Sequence, residues 1–110
     1  MKKIYIELYK APIYCLIGSS EQVAEKKFSK YGFQANWNGS VGKSMSFTSE
    51  YGNTIYGIWI KDKKDIGAIV HEICHTAIYI LNDRGVKLDP NNDEPITYLV
   101  EHITNKILNK

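Results

Sequence analysis

Apolar and polar residues alternate along short stretches within the first 60 residues of the chain, and this alternation predicts β-strands. Residues 4–9 form one such stretch, and residues 13–17 form a second strand or a continuation of the first after a bulge. Residues 44–49 alternate in the same way, and the turn-forming residues 51–53 lead into a further predicted strand at residues 54–60. The pair Asn38-Gly39 is a typical hairpin signal. We therefore expect a small, mostly antiparallel sheet.

A spacing of three to four residues between apolar positions predicts three helices. The first helix, at residues 20–31, follows a capping box formed by Ser19 and Gln22. A central helix is predicted at residues 65–83, and a C-terminal helix is predicted at residues 93–108. The sequence therefore predicts an α+β fold in which the whole chain of 110 residues is a single domain.

The predicted central helix carries apolar residues on two of its faces. One stripe includes Ile69, Ile73 and Ile80, which is the pattern of a helix packed against a core. The roughly opposite face has Cys74 and Ile78 beside two histidines. We therefore expect this helix to be covered on both sides, with its histidines directed into the protein or into a cleft.

The composition is that of an ordinary globular protein, with 44% hydrophobic and 24% charged residues. A net charge of +2 is too small to indicate a nucleic-acid or membrane partner. The residues after Met1 alternate and include Glu7, unlike the apolar centre of a signal peptide, so we expect a cytoplasmic protein. Cys15 and Cys74 form no CxxC motif, which favours buried, reduced thiols.

The central helix contains His71-Glu72-Ile73-Cys74-His75, the one pattern in the chain that has a specific chemical meaning. Residues four apart in a helix lie about one turn from each other, so both imidazoles can bind the same metal ion. The glutamate between them can hold a water molecule bound to that ion. This is the HExxH pattern of the zincins.

Two histidines bind zinc weakly, and a catalytic zinc site normally has a third protein ligand. A histidine six residues after the second one is excluded, because that position is Leu81. A carboxylate from the C-terminal helix remains, and the connecting chain is long enough to bring Glu94 back to the histidines. Glu101, on the same side of that helix, is the alternative ligand.

An HExxH sequence followed by a helix that opens with Glu94 resembles the gluzincin metallopeptidases. More narrowly, the segments VHEICHTAIYIL and DEPITYLVEHI are similar to small single-domain zincin-like proteins encoded by bacteriophages and prophages. The resemblance covers roughly residues 65–103 and implies a minimal zincin-like fold with bound zinc. It implies that the zinc ligands are His71, His75 and Glu94. It also implies that Glu72 is the general base.

The activity that the resemblance implies is zinc-dependent hydrolysis of a peptide bond in a peptide or protein substrate. Larger gluzincins often have an acidic residue that supports the histidines where this chain has Tyr98, which is a departure from the family pattern. The tetrahedral oxyanion also needs a hydrogen-bond donor, for which Tyr98 and His102 are the nearest candidates. Residues 54–60 are the candidate sheet edge along which an extended peptide would align. The alternative is a catalytically silent zincin-fold protein of phage or prophage origin, which binds a host or virion protein in the bacterial cytosol.

Overall fold

The computed structural model describes residues 1–37 and 39–109, which form four strands and three α-helices in the order expected from the sequence. Asn38, the first residue of the predicted hairpin signal, lies outside the described residues. The elements are β1 (Lys2–Ile6), a 3₁₀ turn (Glu7–Tyr9), β2 (Ala11–Ile17), α1 (Glu21–Ser29), β3 (Gly42–Thr48), β4 (Thr54–Ile60), α2 (Ile66–Asp83) and α3 (Glu94–Leu108).

The four strands form one mixed sheet in the order β1-β2-β4-β3. β1 pairs antiparallel with β2, and β3 pairs antiparallel with β4, as expected. β2 and β4 pair in parallel, because α1 and β3 lie between them and return the chain to the same end of the sheet. The prediction that residues 54–60 form a free edge is wrong, since β4 is an interior strand and is buried from Tyr56 to Ile60. The edges are β1 and β3.

Helices cover both faces of the sheet. α2 and α3 cover one face, where Ile13, Ile58 and Ile73 belong to the larger apolar core. α1 and the segment after it cover the other face, where Phe28 and Trp59 belong to a smaller, more aromatic core. None of the helices in the described part of the chain has the length and apolar character needed to cross a bilayer. The predicted α+β class is confirmed, and α2 lies directly on the sheet.

The ends of α1 and α2 are fixed by local backbone and side-chain features. The α1 N-cap is Ser20, whose hydroxyl accepts a hydrogen bond from the Val23 amide at 3.2 Å. The prediction of Ser19 as the cap is wrong by one residue, because the Ser19 hydroxyl instead accepts from the Trp59 indole at 3.0 Å. α2 ends, as predicted, just before Gly85, whose φ of 73° is left-handed.

Both cysteines are free thiols, as predicted. Cys15 lies in the larger core, whereas Cys74 is only partly buried on α2. Burial disfavours the thiolate and raises the pKa of the Cys15 thiol to about 12. The chemistry of Cys15 is therefore that of a core residue.

Candidate metal centre

α2 turns one face to the core and the opposite face to solvent. Ile69, Ile73 and Ile80 are at most 2% exposed, as predicted for the core stripe. The expectation that the histidine face is covered is wrong, because α2 forms the outer layer over the sheet and His71 and His75 are exposed. The two histidines border a shallow surface depression rather than a deep cleft.

The side chains of His71 and His75 converge at this depression. Their Nε2 atoms are 3.1 Å apart, and their ring planes lie at 77° to each other. The Tyr79 ring lies at 25° to the His75 ring, with a centroid distance of 6.2 Å. A carboxylate oxygen of Glu72 lies within 4.8 Å of both histidine nitrogens. We call these three potential ligands, His71, Glu72 and His75, the α2 cluster.

The two histidines of the α2 cluster could hold a metal ion, and the spacing of their nitrogen atoms is compatible with zinc. Zn–N bonds of about 2.0–2.1 Å in a tetrahedral site place two nitrogen atoms about 3.3 Å apart. The observed separation of 3.1 Å is close to this value. The same separation allows one imidazole N–H to hydrogen-bond to the other ring, so a metal ion and that proton compete for the same space. Within residues 1–37 and 39–109, the α2 cluster is the one group of three or more His, Cys, Asp or Glu side chains with this proximity.

Glu72 differs from the histidines because it is 9% exposed and lies on the flank of α2 that faces β3. The Ser44 hydroxyl donates a hydrogen bond to Glu72 Oε1 at 3.1 Å. Gly42 allows α2 to approach this closely, since a Cβ at position 42 would lie 3.2 Å from Glu72 Cγ. The carboxylate is therefore held by a hydrogen bond to one of its oxygens, Oε1.

The contribution of β3 to this site was not among the predictions. Met45 is buried against α1, so the neighbouring side chains of Ser44 and Ser46 are on the sheet face that α2 covers. The serines alternate with Met45 and Phe47, and this pattern indicates that β3 has one polar face and one apolar face. The pattern does not indicate which helix covers the polar face. β3 is also an edge strand of the described sheet. Among the described residues, no strand pairs with the amide and carbonyl groups along its outer edge, which lies next to the α2 cluster.

The other predicted site residues lie together at a different place. They line a cavity of about 760 Å³ between β1, the 3₁₀ turn and α3, and they are Glu94, Tyr98, Glu101 and His102. Helix geometry explains this position, because Ile103 is fully buried on the other side of α3 from these four residues. We call these four residues the α3 group.

The structure therefore separates the predicted site into two parts. The α2 cluster has its potential ligand atoms within 4.8 Å of one another, and no residue of the α3 group belongs to it. The cavity beside the α3 group and the depression at the histidines share no lining residue. The roles of Glu94 or Glu101 as third zinc ligand, and of Tyr98 or His102 as oxyanion donor, stay predictions.

The α2 cluster can perform two kinds of chemistry. Its imidazoles can hold a divalent cation, and its hydrogen-bonded carboxylate can accept a proton from a nearby water molecule. The histidines are exposed, so an incoming molecule has direct access to the two imidazoles, whereas Glu72 is largely buried. Comparison of the chain with protein-family models, with curated proteins and with solved structures finds no match.

Proposed function

We propose that this chain is a minimal zincin-like peptidase, in which His71 and His75 hold a zinc ion and Glu72 is the general base. The observation that carries the proposal is the convergence of the α2 cluster, with nitrogen atoms 3.1 Å apart and a carboxylate oxygen within 4.8 Å of both. The order of the three residues along one helix supports the division of roles, since HExxH places the base between the ligands.

Glu72 carries the proton transfers in this proposal. A bound zinc ion would supply the Lewis acidity that water and a peptide carbonyl need at neutral pH. Glu72 accepts a proton from the attacking water at Oε2 and delivers it to the nitrogen of the leaving amine. Ser44 supports both transfers, because its hydrogen bond to Oε1 keeps the carboxylate in one orientation.

The substrate proposed for this site is an extended peptide. β3 is an edge strand next to Glu72, so a peptide can pair with its outer backbone groups. Ser44 and Ser46 are small residues of β3, so they leave room beside α2 for the side chains of such a peptide. β3 therefore replaces residues 54–60 as the proposed aligning edge.

Glu94 is kept as the proposed third ligand, with Glu101 as its alternative. Both residues line the cavity beside β1, so either role requires the first turns of α3 to move towards α2. If neither residue reaches the ion, water or substrate fills the remaining coordination positions. Tyr98 and His102 can act as oxyanion donors only if α3 moves towards α2 in the same way.

A second candidate is a catalytically silent zincin-fold protein of phage or prophage origin that binds a host or virion protein. The exposure of the histidine face favours this candidate. Val70 and Ile78, which border the same depression, are 44% and 38% exposed. Apolar side chains grouped around a metal site on an open surface are typical of a contact surface.

Elemental analysis and peptide cleavage together test the proposal. Protein purified without a metal-affinity tag is expected to bind one zinc ion per chain, and His75→Ala is expected to bind none. The zinc-loaded protein is expected to cleave members of a peptide library, whereas Glu72→Gln keeps its zinc and loses cleavage. Glu25→Gln, which changes an exposed glutamate on α1, is the matched control and keeps both properties.

The possible outcomes separate the two candidate functions. Zinc binding without cleavage of any library peptide would favour the binding protein. Cleavage by Glu72→Gln at the wild-type rate would exclude Glu72 as the base. A wild-type chain that binds no zinc at neutral pH would refute the metal site itself.

A further inference from the structure

The cavity between β1, the 3₁₀ turn and α3 has large side chains exposed along its length. We call this cavity the α3 groove. Tyr5, Leu8 and Tyr98 line it and are 48%, 82% and 65% exposed. Single exposed apolar or aromatic residues are common on protein surfaces, but three along one groove are typical of an interaction surface.

The α3 groove is also acidic. Glu7, Glu94 and Glu101 line it, whereas Lys106 is the one lysine or arginine among the described residues that do so. The chain as a whole has a net charge of +2, so this negative charge is local to the groove. Such a field favours a cationic ligand over a neutral or anionic one.

Hydrogen bonds hold the walls of the α3 groove in place. Lys2 Nζ, on β1, donates to the carbonyl oxygens of Lys106 at 2.6 Å and Asn109 at 3.1 Å, at the C-terminal end of α3. This position of a cation is favourable for the helix dipole. Arg84 Nε donates to the carbonyl oxygen of Tyr9 at 2.6 Å and fixes the 3₁₀ turn. A ligand therefore meets a formed groove and loses little affinity to ordering it.

We propose that the α3 groove binds an extended basic segment of a partner protein, in which lysine or arginine alternates with large aliphatic side chains. The aliphatic side chains pack against Leu8 and the two tyrosine rings. The cationic groups face Glu7 and Glu101 and lie close to those rings, where cation–π attraction adds to the charge interaction. In this structure the groove shares no lining residue with the depression at the histidines, so the basic segment binds at a separate place from the proposed peptide substrate.

A synthetic peptide tests the chemistry of this ligand. The probe is fluorescein-labelled Gly-Lys-Leu-Lys-Leu-Lys-Gly, compared with peptides in which glutamate replaces lysine or serine replaces leucine. Fluorescence anisotropy is expected to show saturable binding of the probe and about tenfold weaker binding of either comparison peptide. Raising NaCl from about 50 mM to about 500 mM is expected to weaken probe binding.

Two variants and two matched controls locate the binding surface. Leu8→Ala and Glu7→Lys change exposed side chains of the groove, and each is expected to weaken probe binding about tenfold. Val41→Ala, which shortens a 58% exposed side chain, and Glu25→Lys, on α1, are expected to leave binding unchanged. Amide NMR signals of the groove are expected to shift on binding.

Three results would overturn the proposal. One is failure of the probe to bind, and another is binding that the two control variants weaken as much as the groove variants do. The third is a dimer, detected by sedimentation, that Leu8→Ala dissociates, because the groove would then hold a second copy of this chain. None of these measurements uses zinc or cleavage, so their failure is independent of the proposed peptidase function.

Discussion

Replacement of Gly42 by alanine tests whether packing between β3 and α2 holds Glu72 in place. A Cβ at position 42 would lie 3.1 Å from Ile60 Cδ1, 3.2 Å from Glu72 Cγ and 3.2 Å from the Trp59 carbonyl oxygen. The two side chains can shift by a few tenths of an ångström. The carbonyl oxygen cannot, because it belongs to the interior strand β4.

The expected loss of stability follows from two opposing terms. Inserting a methyl group into a packed site costs about 1–3 kcal/mol. Removing the conformational freedom of glycine from the unfolded chain offsets about 0.4–1 kcal/mol, since Gly42 has no positive φ that alanine would strain. The net expectation is a decrease of about 1–2 kcal/mol in the free energy of unfolding.

Urea unfolding, followed by tryptophan fluorescence, measures this change because Trp59 is fully buried. Gly67→Ala is the matched control, since a Cβ there would meet Asp65 Oδ1 at an ordinary 3.7 Å. In the helix, this second substitution is expected to raise the free energy of unfolding by up to about 1 kcal/mol. A Gly42→Ala protein as stable as wild type would refute the described packing of Glu72 against β3.

Three further predictions concern the site and the core. Ser44→Ala is expected to lower the rate of peptide cleavage about tenfold while zinc stoichiometry is unchanged, because the Glu72 carboxylate loses its hydrogen bond; an unaltered rate would show that Ser44 does not position the base. Zinc titrations compare Glu94→Ala and Glu101→Ala with the wild-type chain. The variant that lacks the third ligand is expected to bind zinc at least about tenfold more weakly, and wild-type zinc affinity in both variants would exclude both residues as ligands. The free energy of unfolding is expected to fall as pH rises above 9.0. The Cys15 thiol has a pKa of about 12 in the folded chain and 9.0 in the unfolded chain, so the unfolded chain loses this proton first and is stabilised. Cys15→Ala should flatten this slope, and an identical slope would exclude the thiol as its cause.

Local patterns in the sequence predicted the elements well because these patterns depend on neighbouring residues. The turn residues before position 54 and the polar residues after position 60 gave β4 with its observed bounds, and the spacing of Ile69, Ile73 and Ile80 gave the buried face of α2. Strand pairing depends on residues that are distant in the sequence, so it was harder to predict than the elements themselves. The parallel pairing of Ile13 with Tyr56 was not predicted, although the nearly continuous apolar run in β4 is typical of an interior strand.

The candidate site shows the same difference between local features, which were predictable, and contacts between distant residues, which were not. The convergence of His71 and His75 was predictable because four residues in a helix fix their separation. The exposure of the histidine face was not predictable, because an apolar face can border solvent as well as a second layer. Ser44 was also missed, since its hydrogen bond to Glu72 depends on which helix covers which face of the sheet.

The hydrogen bond between Ser44 and Glu72 joins residues 28 positions apart, whereas the histidine pair spans only 4. Contacts close in sequence generally form before distant ones when a protein folds. The two imidazoles are therefore in position as soon as α2 forms, but the carboxylate is oriented only after β3 joins the sheet. Metal capture would thus come first in time, and a newly made, partly folded chain would compete for zinc before it could use the ion in the proposed hydrolysis.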